Sequence, residues 1–125
     1  MKILVVDDSS TMRRILKQSL ARCGITDISE GANGVEALKL AQESQYDCVM
    51  TDWNMPEMDG LELTINLRKL PSYEKTPIIM VTTEGGKNDV IEALTQGVNC
   101  YIVKPFTPDT VKDKLKELFP TLTIQ

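Results

Sequence analysis

Histidine is absent from the 125 residues of the chain. This absence excludes Ser–His and Cys–His nucleophile pairs, histidine-ligated zinc and a phosphohistidine formed on the chain itself. Long apolar runs are also absent, since none approaches the about 20 residues of a membrane-spanning helix. The apolar run at the start of the chain stops at Asp7, which is too early for a signal peptide. We therefore expect a cytoplasmic protein that is not inserted in a membrane.

Cysteine and positive charge are both scarce. The three cysteines are widely spaced, with no C-x-x-C pair, which fits a reducing compartment in which each thiol is a small apolar core residue. The chain has 14 basic and 18 acidic residues, a formal net charge of −4, which argues against binding to nucleic acid. Its apolar and charged fractions are those of an ordinary globular protein. We expect one domain spanning residues 1–125, with its own core.

Short apolar runs alternate along the chain with amphipathic stretches. Five strand-then-helix units predict an α/β fold, a doubly wound five-stranded parallel sheet with helices on both faces. The predicted strands are 3–6, 27–30, 48–51, 78–81 and 101–103, and the first predicted helix runs from Ser10 to Cys23. The later helices are marked by Asn33 as a cap, by Leu61, Ile65 and Leu67, by Val90, Ile91 and Leu94, and by Thr107 and Pro108 as a cap and first turn.

Charged or hydroxyl side chains follow four of the predicted strands. Asp7 and Asp8 follow the first, Asp52 the third, Thr82 the fourth and Lys104 the fifth. The carboxyl ends of parallel strands meet at one edge of the sheet, where the functional sites of such folds lie. Each residue taken alone has an ordinary interpretation as a turn or cap residue. Together they place three carboxylates, a hydroxyl and an ammonium group at one edge.

Three neighbouring carboxylates repel one another unless a cation or protons intervene. Oxygen ligands without histidine or cysteine select Mg²⁺, Mn²⁺ or Ca²⁺, and the charge of −2 left after counting Lys104 is cancelled by one divalent ion. Mg²⁺ favours phosphate as a co-ligand, and a carboxylate can itself be the nucleophile that forms an aspartyl phosphate. The residues therefore suggest phosphoryl chemistry that depends on Mg²⁺.

Four segments carry a resemblance to a known family. Residues 5–14 (VVDDSSTMRR), 52–60 (DWNMPEMDG), 80–82 (MVT) and 101–106 (YIVKPF) resemble the receiver domains of two-component response regulators, and most closely the stand-alone receivers of chemotaxis. The resemblance covers nearly the whole chain. It implies a flavodoxin-like fold with strand order 2-1-3-4-5 and no separate output domain.

The resemblance also implies roles for the residues at the strand ends. Asp52 is expected to be the phosphoacceptor, and Lys104 to bind the phosphoryl group. Asp7 and Asp8 are expected to hold Mg²⁺ together with Asp52 and the backbone carbonyl of Asn54.

Other residues are expected to transmit or time the signal. Thr82 and Tyr101 resemble the switch residues of the family, and Asn54 and Glu84 the residues that tune dephosphorylation. The resemblance also implies a cis peptide bond before Pro105. The expected contacts with a partner lie on the fourth and fifth helices and the fifth strand, at Lys87, Val90, Tyr101, Phe106 and Lys114.

The function implied is that of a chemotaxis response regulator, a signalling switch whose only catalysis is its own phosphorylation and dephosphorylation. Its expected partners are a sensor histidine kinase as phosphodonor and the flagellar motor switch protein, with a phosphatase as a further candidate, and the chain is expected to be a monomer. Other interpretations remain open at this stage. They are a single-domain phosphorelay carrier, a metal-dependent phosphatase of small molecules, and a degenerate receiver that only binds.

Overall fold

Five strands alternate with five helices in residues 1–121, the part of the chain that the computed structural model describes. The strands are β1 (Lys2–Val6), β2 (Asp27–Gly31), β3 (Cys48–Thr51), β4 (Ile78–Thr82) and β5 (Cys100–Val103). The helices are α1 (Ser10–Arg22), α2 (Gly34–Glu43), α3 (Gly60–Arg68), α4 (Lys87–Thr95) and α5 (Pro108–Leu118), and a single 3₁₀ turn at Pro71–Tyr73 follows α3. Within this range no helix has the length and apolar character needed to cross a membrane.

The strands form one parallel sheet in the order β2-β1-β3-β4-β5, which confirms the predicted fold class and strand order. The register aligns the carboxyl ends of neighbouring strands, with Val6 opposite Thr51 and Thr82 opposite Val103. The loops that follow β1, β3, β4 and β5 therefore open at the same edge of the sheet.

The sheet is buried on both faces, as the continuous apolar runs in its central strands predict. Alternate strand residues point to opposite faces, so that Ile3 and Val5 belong to one core cluster while Leu4 and Val6 belong to the other. The first cluster is completed by Leu16 and Leu20 of α1 and by Val111 and Leu115 of α5. The second is completed by Ala37 and Ala41 of α2, Leu63 and Leu67 of α3, and Ala93 of α4.

Four of the five helices begin at a side chain that accepts a hydrogen bond from a free backbone N–H. Ser9, Asn33, Asp59 and Thr107 are these N-cap residues, so the predicted caps at Asn33 and Thr107 are confirmed. Helix α4 differs because Gly86, at its N-cap, has no side chain to accept such a bond.

Helices α3 and α4 bury only some of the residues that marked them in the sequence, since of Leu61, Ile65 and Leu67 only Leu67 is fully buried. In α3 the buried leucines are Leu63 and Leu67. In α4 the buried residue is Ala93, while Ile91 is 51% and Leu94 is 47% exposed. The apolar period located α4 correctly, but much of its apolar surface faces solvent rather than the sheet.

Candidate functional site

The three aspartates expected to form the site do come together at the carboxyl edge of the sheet. Asp7 directly follows β1 and is only 1% exposed, Asp52 directly follows β3 and is partly buried, and Asp8 is exposed. One carboxylate oxygen from each residue lies within 4.8 Å of the others. Residues 45 positions apart in the chain are thus neighbours because β1 pairs with β3.

Lys104 joins two of these carboxylates. Its Nζ donates to Asp7 Oδ2 at 2.9 Å and to Asp52 Oδ2 at 3.1 Å. Burial lowers the pKa of Lys104, but the hydrogen bonds to Asp7 and Asp52 and the charges of both carboxylates outweigh it, so the net pKa is raised. The lysine is therefore a permanent cation at neutral pH.

The remaining carboxylate oxygens of Asp7 and Asp52 are oriented by the backbone. Asp7 Oδ1 accepts from the N–H of Ser9 at 2.9 Å, and Asp52 Oδ1 accepts from the N–H of Trp53 at 2.7 Å. Each carboxylate is thereby fixed by one backbone donor and by Lys104. Such fixed orientation is what a nucleophile or a metal ligand requires. The sequence does not reveal these backbone contacts, because they depend on the path of the two loops.

The donor set fits a small divalent cation. It consists of carboxylate oxygens, and the Asp8 carboxylate is exposed and makes no ion pair within residues 1–121. Ligands on opposite sides of Mg²⁺ lie about 4.2 Å apart, twice the ordinary Mg–O distance, so the observed separation of 4.8 Å or less needs little closure. These residues therefore suit a hard cation, and Lys104 is hydrogen-bonded to two of them, Asp7 and Asp52.

The loop after β3 approaches Asp52 closely at Gly60. A Cβ atom at Gly60 would lie 1.9 Å from the backbone oxygen of Asp52, and the Gly60 N–H donates to the Trp53 carbonyl at 2.7 Å. Glycine is required at this position because any side chain would push the loop away from the acceptor. Within the same loop Glu57 adopts a φ of +67°, a conformation that costs free energy for a residue with a Cβ atom.

The expected switch residues meet at Glu84. Thr82 is fully buried, and its Oγ1 accepts from the N–H of Glu84 at 3.3 Å. The Tyr101 hydroxyl donates to the Glu84 carbonyl, and Asn54 Nδ2 donates to Glu84 Oε1 at 3.0 Å. All four residues therefore belong to one hydrogen-bonded group beside Asp52.

Tyr101 is half-buried and packs against the core cluster on the α2–α4 side of the sheet. Burial, followed by the negative charges of Asp89, Glu84 and Asp52, raises the pKa of Tyr101 to about 12. Its hydroxyl therefore remains a proton donor throughout the physiological range.

The residues expected to contact a partner do not all share one surface. Lys87 is exposed at the start of α4, and Val90 is half-buried one turn later. Phe106 instead packs against the cluster on the α1 and α5 side, next to Ile15. Lys114 lies on α5, and its Nζ is 3.7 Å from Glu117 Oε2.

The peptide bond between Lys104 and Pro105 is cis, as the resemblance implied.

Comparison with known proteins gives the class to which this fold and site belong. The family model for the response regulator receiver domain matches residues 3–116. Among solved structures, chemotaxis response regulator CheY4 of Vibrio cholerae has a TM-score of 0.88 and 36% identity, covering 94% of this chain and 98% of that one. The chain belongs to the response regulator receiver domain family.

Chemotaxis proteins are among its most similar relatives. It is 57% identical over 122 residues to the CheY homolog of Campylobacter jejuni, covering 97% of this chain and 94% of the relative. It is 55% identical over 122 residues to CheY1 of Helicobacter pylori, covering 97% and 98%. The receiver domain of sensor histidine kinase PA1611 from Pseudomonas aeruginosa, 27% identical with a TM-score of 0.85, covers 93% of this chain and 94% of its own, and has a magnesium ion coordinated in its active site cleft.

Proposed function

We propose that the chain is a chemotaxis response regulator that is phosphorylated on Asp52 by a sensor histidine kinase. The observation that carries the proposal is the joint placement of Asp7, Asp8 and Asp52 within 4.8 Å, with Lys104 bonded to Asp7 and Asp52. A phosphoryl group on Asp52 would lie beside the ammonium group of Lys104, which is already bonded to Asp52. The chain has no histidine, so the phosphoryl group must come from another protein.

In the proposed reaction a carboxylate oxygen of Asp52 attacks the phosphorus atom of a phosphohistidine. The new O–P bond forms as the N–P bond breaks, and the imidazole leaves with its electron pair. Lys104, already hydrogen-bonded to Asp52, stabilises the charge on the phosphoryl oxygens. Mg²⁺, held by Asp7, Asp8, Asp52 and the backbone carbonyl of Asn54, would supply further neutralisation of that charge.

Phosphorylation would then act as a switch. It replaces a carboxylate of charge −1 by a group of charge about −2 with additional hydrogen-bond acceptors. Thr82 ends the neighbouring strand and carries the nearby buried hydroxyl, so a bond from it to the phosphoryl group would change its contact with Glu84. Because Glu84 also holds Tyr101, the change would reach β5 and α4. The exposed apolar side chains of α4 support a protein as the recipient of the signal.

We infer from the kinship with CheY proteins that this recipient is the flagellar motor switch protein. The proposed contacts are Lys87, Val90 and Tyr101, with Lys114 and Phe106 on the neighbouring α5 side. A bound partner that prefers the phosphorylated form must in return favour phosphorylation.

Uptake of phosphate from acetyl phosphate tests the proposal. With Mg²⁺ present, the wild-type protein should gain one phosphoryl group by intact mass, and EDTA should prevent the gain. Asp52→Asn should remain folded and take up none, whereas Asp27→Asn, a control at the opposite edge of the sheet, should behave as wild type. Stoichiometric labelling of Asp52→Asn would overturn the assignment of the acceptor. Continuous release of phosphate over many turnovers would favour a phosphatase instead.

A further inference from the structure

Three residues of the candidate site each form a hydrogen bond with a different group of Glu84. Its N–H donates to Thr82 Oγ1, its carbonyl accepts from the Tyr101 hydroxyl, and its carboxylate accepts from Asn54. These partners come from the end of β4, from β5 and from the loop after β3. One residue thus links the half-buried Tyr101 ring to the loop that carries the acceptor.

The bond between Asn54 and Glu84 spans two loops that follow neighbouring strands. Asp52 begins the first of these loops, two residues before Asn54, and β3 pairs directly with β4. Both side chains of this bond are exposed, so it lies on the solvent side of the site. A water that hydrolyses an aspartyl phosphate attacks the phosphorus from the side opposite the carboxylate oxygen, which is the solvent side. The bond therefore lies where that water must approach.

Resting on the proposed function, we infer that Tyr101 sets the lifetime of phosphorylated Asp52 by acting through Glu84. The hydroxyl of Tyr101 anchors the main chain of Glu84, and the anchored Glu84 keeps its carboxylate on Asn54, so access of water to the phosphoryl group is restricted. When the ring moves away, Glu84 loses one of its two main-chain anchors and the bond across the site opens. Glu84 is in this sense a positioning residue. A partner that packs on the Tyr101 ring while its hydroxyl is bonded to Glu84 prolongs the phosphorylated state.

Decay of the phosphorylated protein, followed by intact mass after removal of acetyl phosphate, tests the inference. Tyr101→Phe keeps the ring and removes the hydroxyl, and it should decay about fivefold faster, the change in population expected from one hydrogen bond. In an Asn54→Ala background the same substitution should change the rate by less than about twofold, because the bond is already absent. Tyr46→Phe, a buried tyrosine outside this group, is the matched control and should decay at the wild-type rate.

Glu84 variants separate positioning from a general structural role. Glu84→Gln retains an acceptor oxygen for Asn54 and should decay within about twofold of wild type, whereas Glu84→Ala should decay about fivefold faster. Melting temperatures of the two variants should agree, since Glu84 is exposed.

A second measurement does not depend on phosphorylation. The side-chain amide signals of Asn54 in NMR spectra should move in Tyr101→Phe and stay in place in Tyr46→Phe. Equal effects of Tyr101→Phe with and without Asn54, or an unmoved Asn54 signal, would overturn the inference while leaving the proposed function intact. A wild-type protein that takes up no phosphate would instead contradict the proposed function, and the NMR comparison would still decide whether Tyr101 and Asn54 are coupled.

Discussion

Lys104 and Asp7 are 97 residues apart in the sequence, yet the lysine Nζ lies 2.9 Å from Asp7 Oδ2. They meet because β1 and β5 end at the same edge of the sheet, so that the lysine side chain reaches back over the ends of β4 and β3. Asp7 is almost completely buried, and a buried carboxylate is tolerated only when it is paired and hydrogen-bonded. The lysine that would bind the phosphoryl group thus also stabilises the fold.

Removing this lysine should therefore reduce stability. Lys104→Met leaves Asp7 buried beside Asp52 and Asp8 without a cation, and we expect the free energy of unfolding in EDTA to fall by about 3 kcal/mol. Added Mg²⁺ should restore part of the loss by supplying a cation. Urea denaturation with EDTA or Mg²⁺ measures both effects. Lys116→Met, on the exposed side of α5, should change stability by less than about 0.5 kcal/mol. Equal stability of Lys104→Met and wild type in EDTA would show that the pair contributes nothing.

Removing the exposed carboxylate should have the opposite effect on stability. Asp8→Ala relieves repulsion from Asp7 and Asp52, so the free energy of unfolding in EDTA should rise by a few tenths of a kcal/mol, about the size expected for a solvent-screened charge. The same variant should bind Mg²⁺ more weakly, because one ligand is gone. Fluorescence of Trp53, the neighbour of Asp52, should report Mg²⁺ binding. Unchanged Mg²⁺ affinity would argue that Asp8 is not part of the metal site.

The hydroxyl of Tyr101 should resist ionisation. Its pKa is raised from 10.0 to about 12, so the folded protein retains this proton at a pH where the unfolded chain releases it. The resulting contribution to stability is complete below pH 10 and is lost as the pH rises toward about 12. At pH of about 11 a free tyrosine is mostly ionised, so Tyr101→Phe should leave the tyrosinate absorbance of the folded protein nearly unchanged. Loss of a full tyrosinate equivalent in the variant would contradict the buried, hydrogen-bonded position.

Strain at Glu57 predicts a stabilising substitution. Glycine adopts a φ of +67° without steric cost, so Glu57→Gly should raise the free energy of unfolding by about 1 kcal/mol despite the loss of a long contact to Asn33. Glu74 has a φ of −57°, and Glu74→Gly as a control should lower stability by about 0.5–1 kcal/mol. Thermal unfolding of both variants makes the comparison. A destabilised Glu57→Gly would mean that the conformation of the loop carries no strain.

The strands and the location of the site could be predicted because both depend on short local signals. The strand Cys48–Thr51 begins with three apolar residues and stops at Asp52, and the strand Ile78–Thr82 begins with four apolar residues after Pro77. Once the strands are parallel, the residues after them must share an edge, which is why Lys104 could be assigned to the acidic cluster.

The orientation of α4 and the contacts of the loops could not be predicted in the same way. Val90, Ile91 and Leu94 locate an apolar helix without saying whether that surface faces the sheet, and Ala93 is too small to stand out as the anchor. The bonds that Glu84 makes depend on how two loops are placed in space, and neither loop has a periodic pattern. The family resemblance supplied the strand order and the roles of Thr82 and Tyr101, which the periodicity alone does not contain.

A phosphoryl group on Asp52 is expected to change the surface of α4 and β5 through Thr82. NMR spectra with and without beryllofluoride test this change most directly. In the wild-type protein with Mg²⁺, we expect beryllofluoride to shift the backbone signals of Asp52 and Thr82 and also those of Tyr101 and α4. In Thr82→Ala the signals around Asp52 should still shift, while those of Tyr101 and α4 should stay close to their unliganded positions. Equal shifts at Tyr101 and α4 in both proteins would contradict the account.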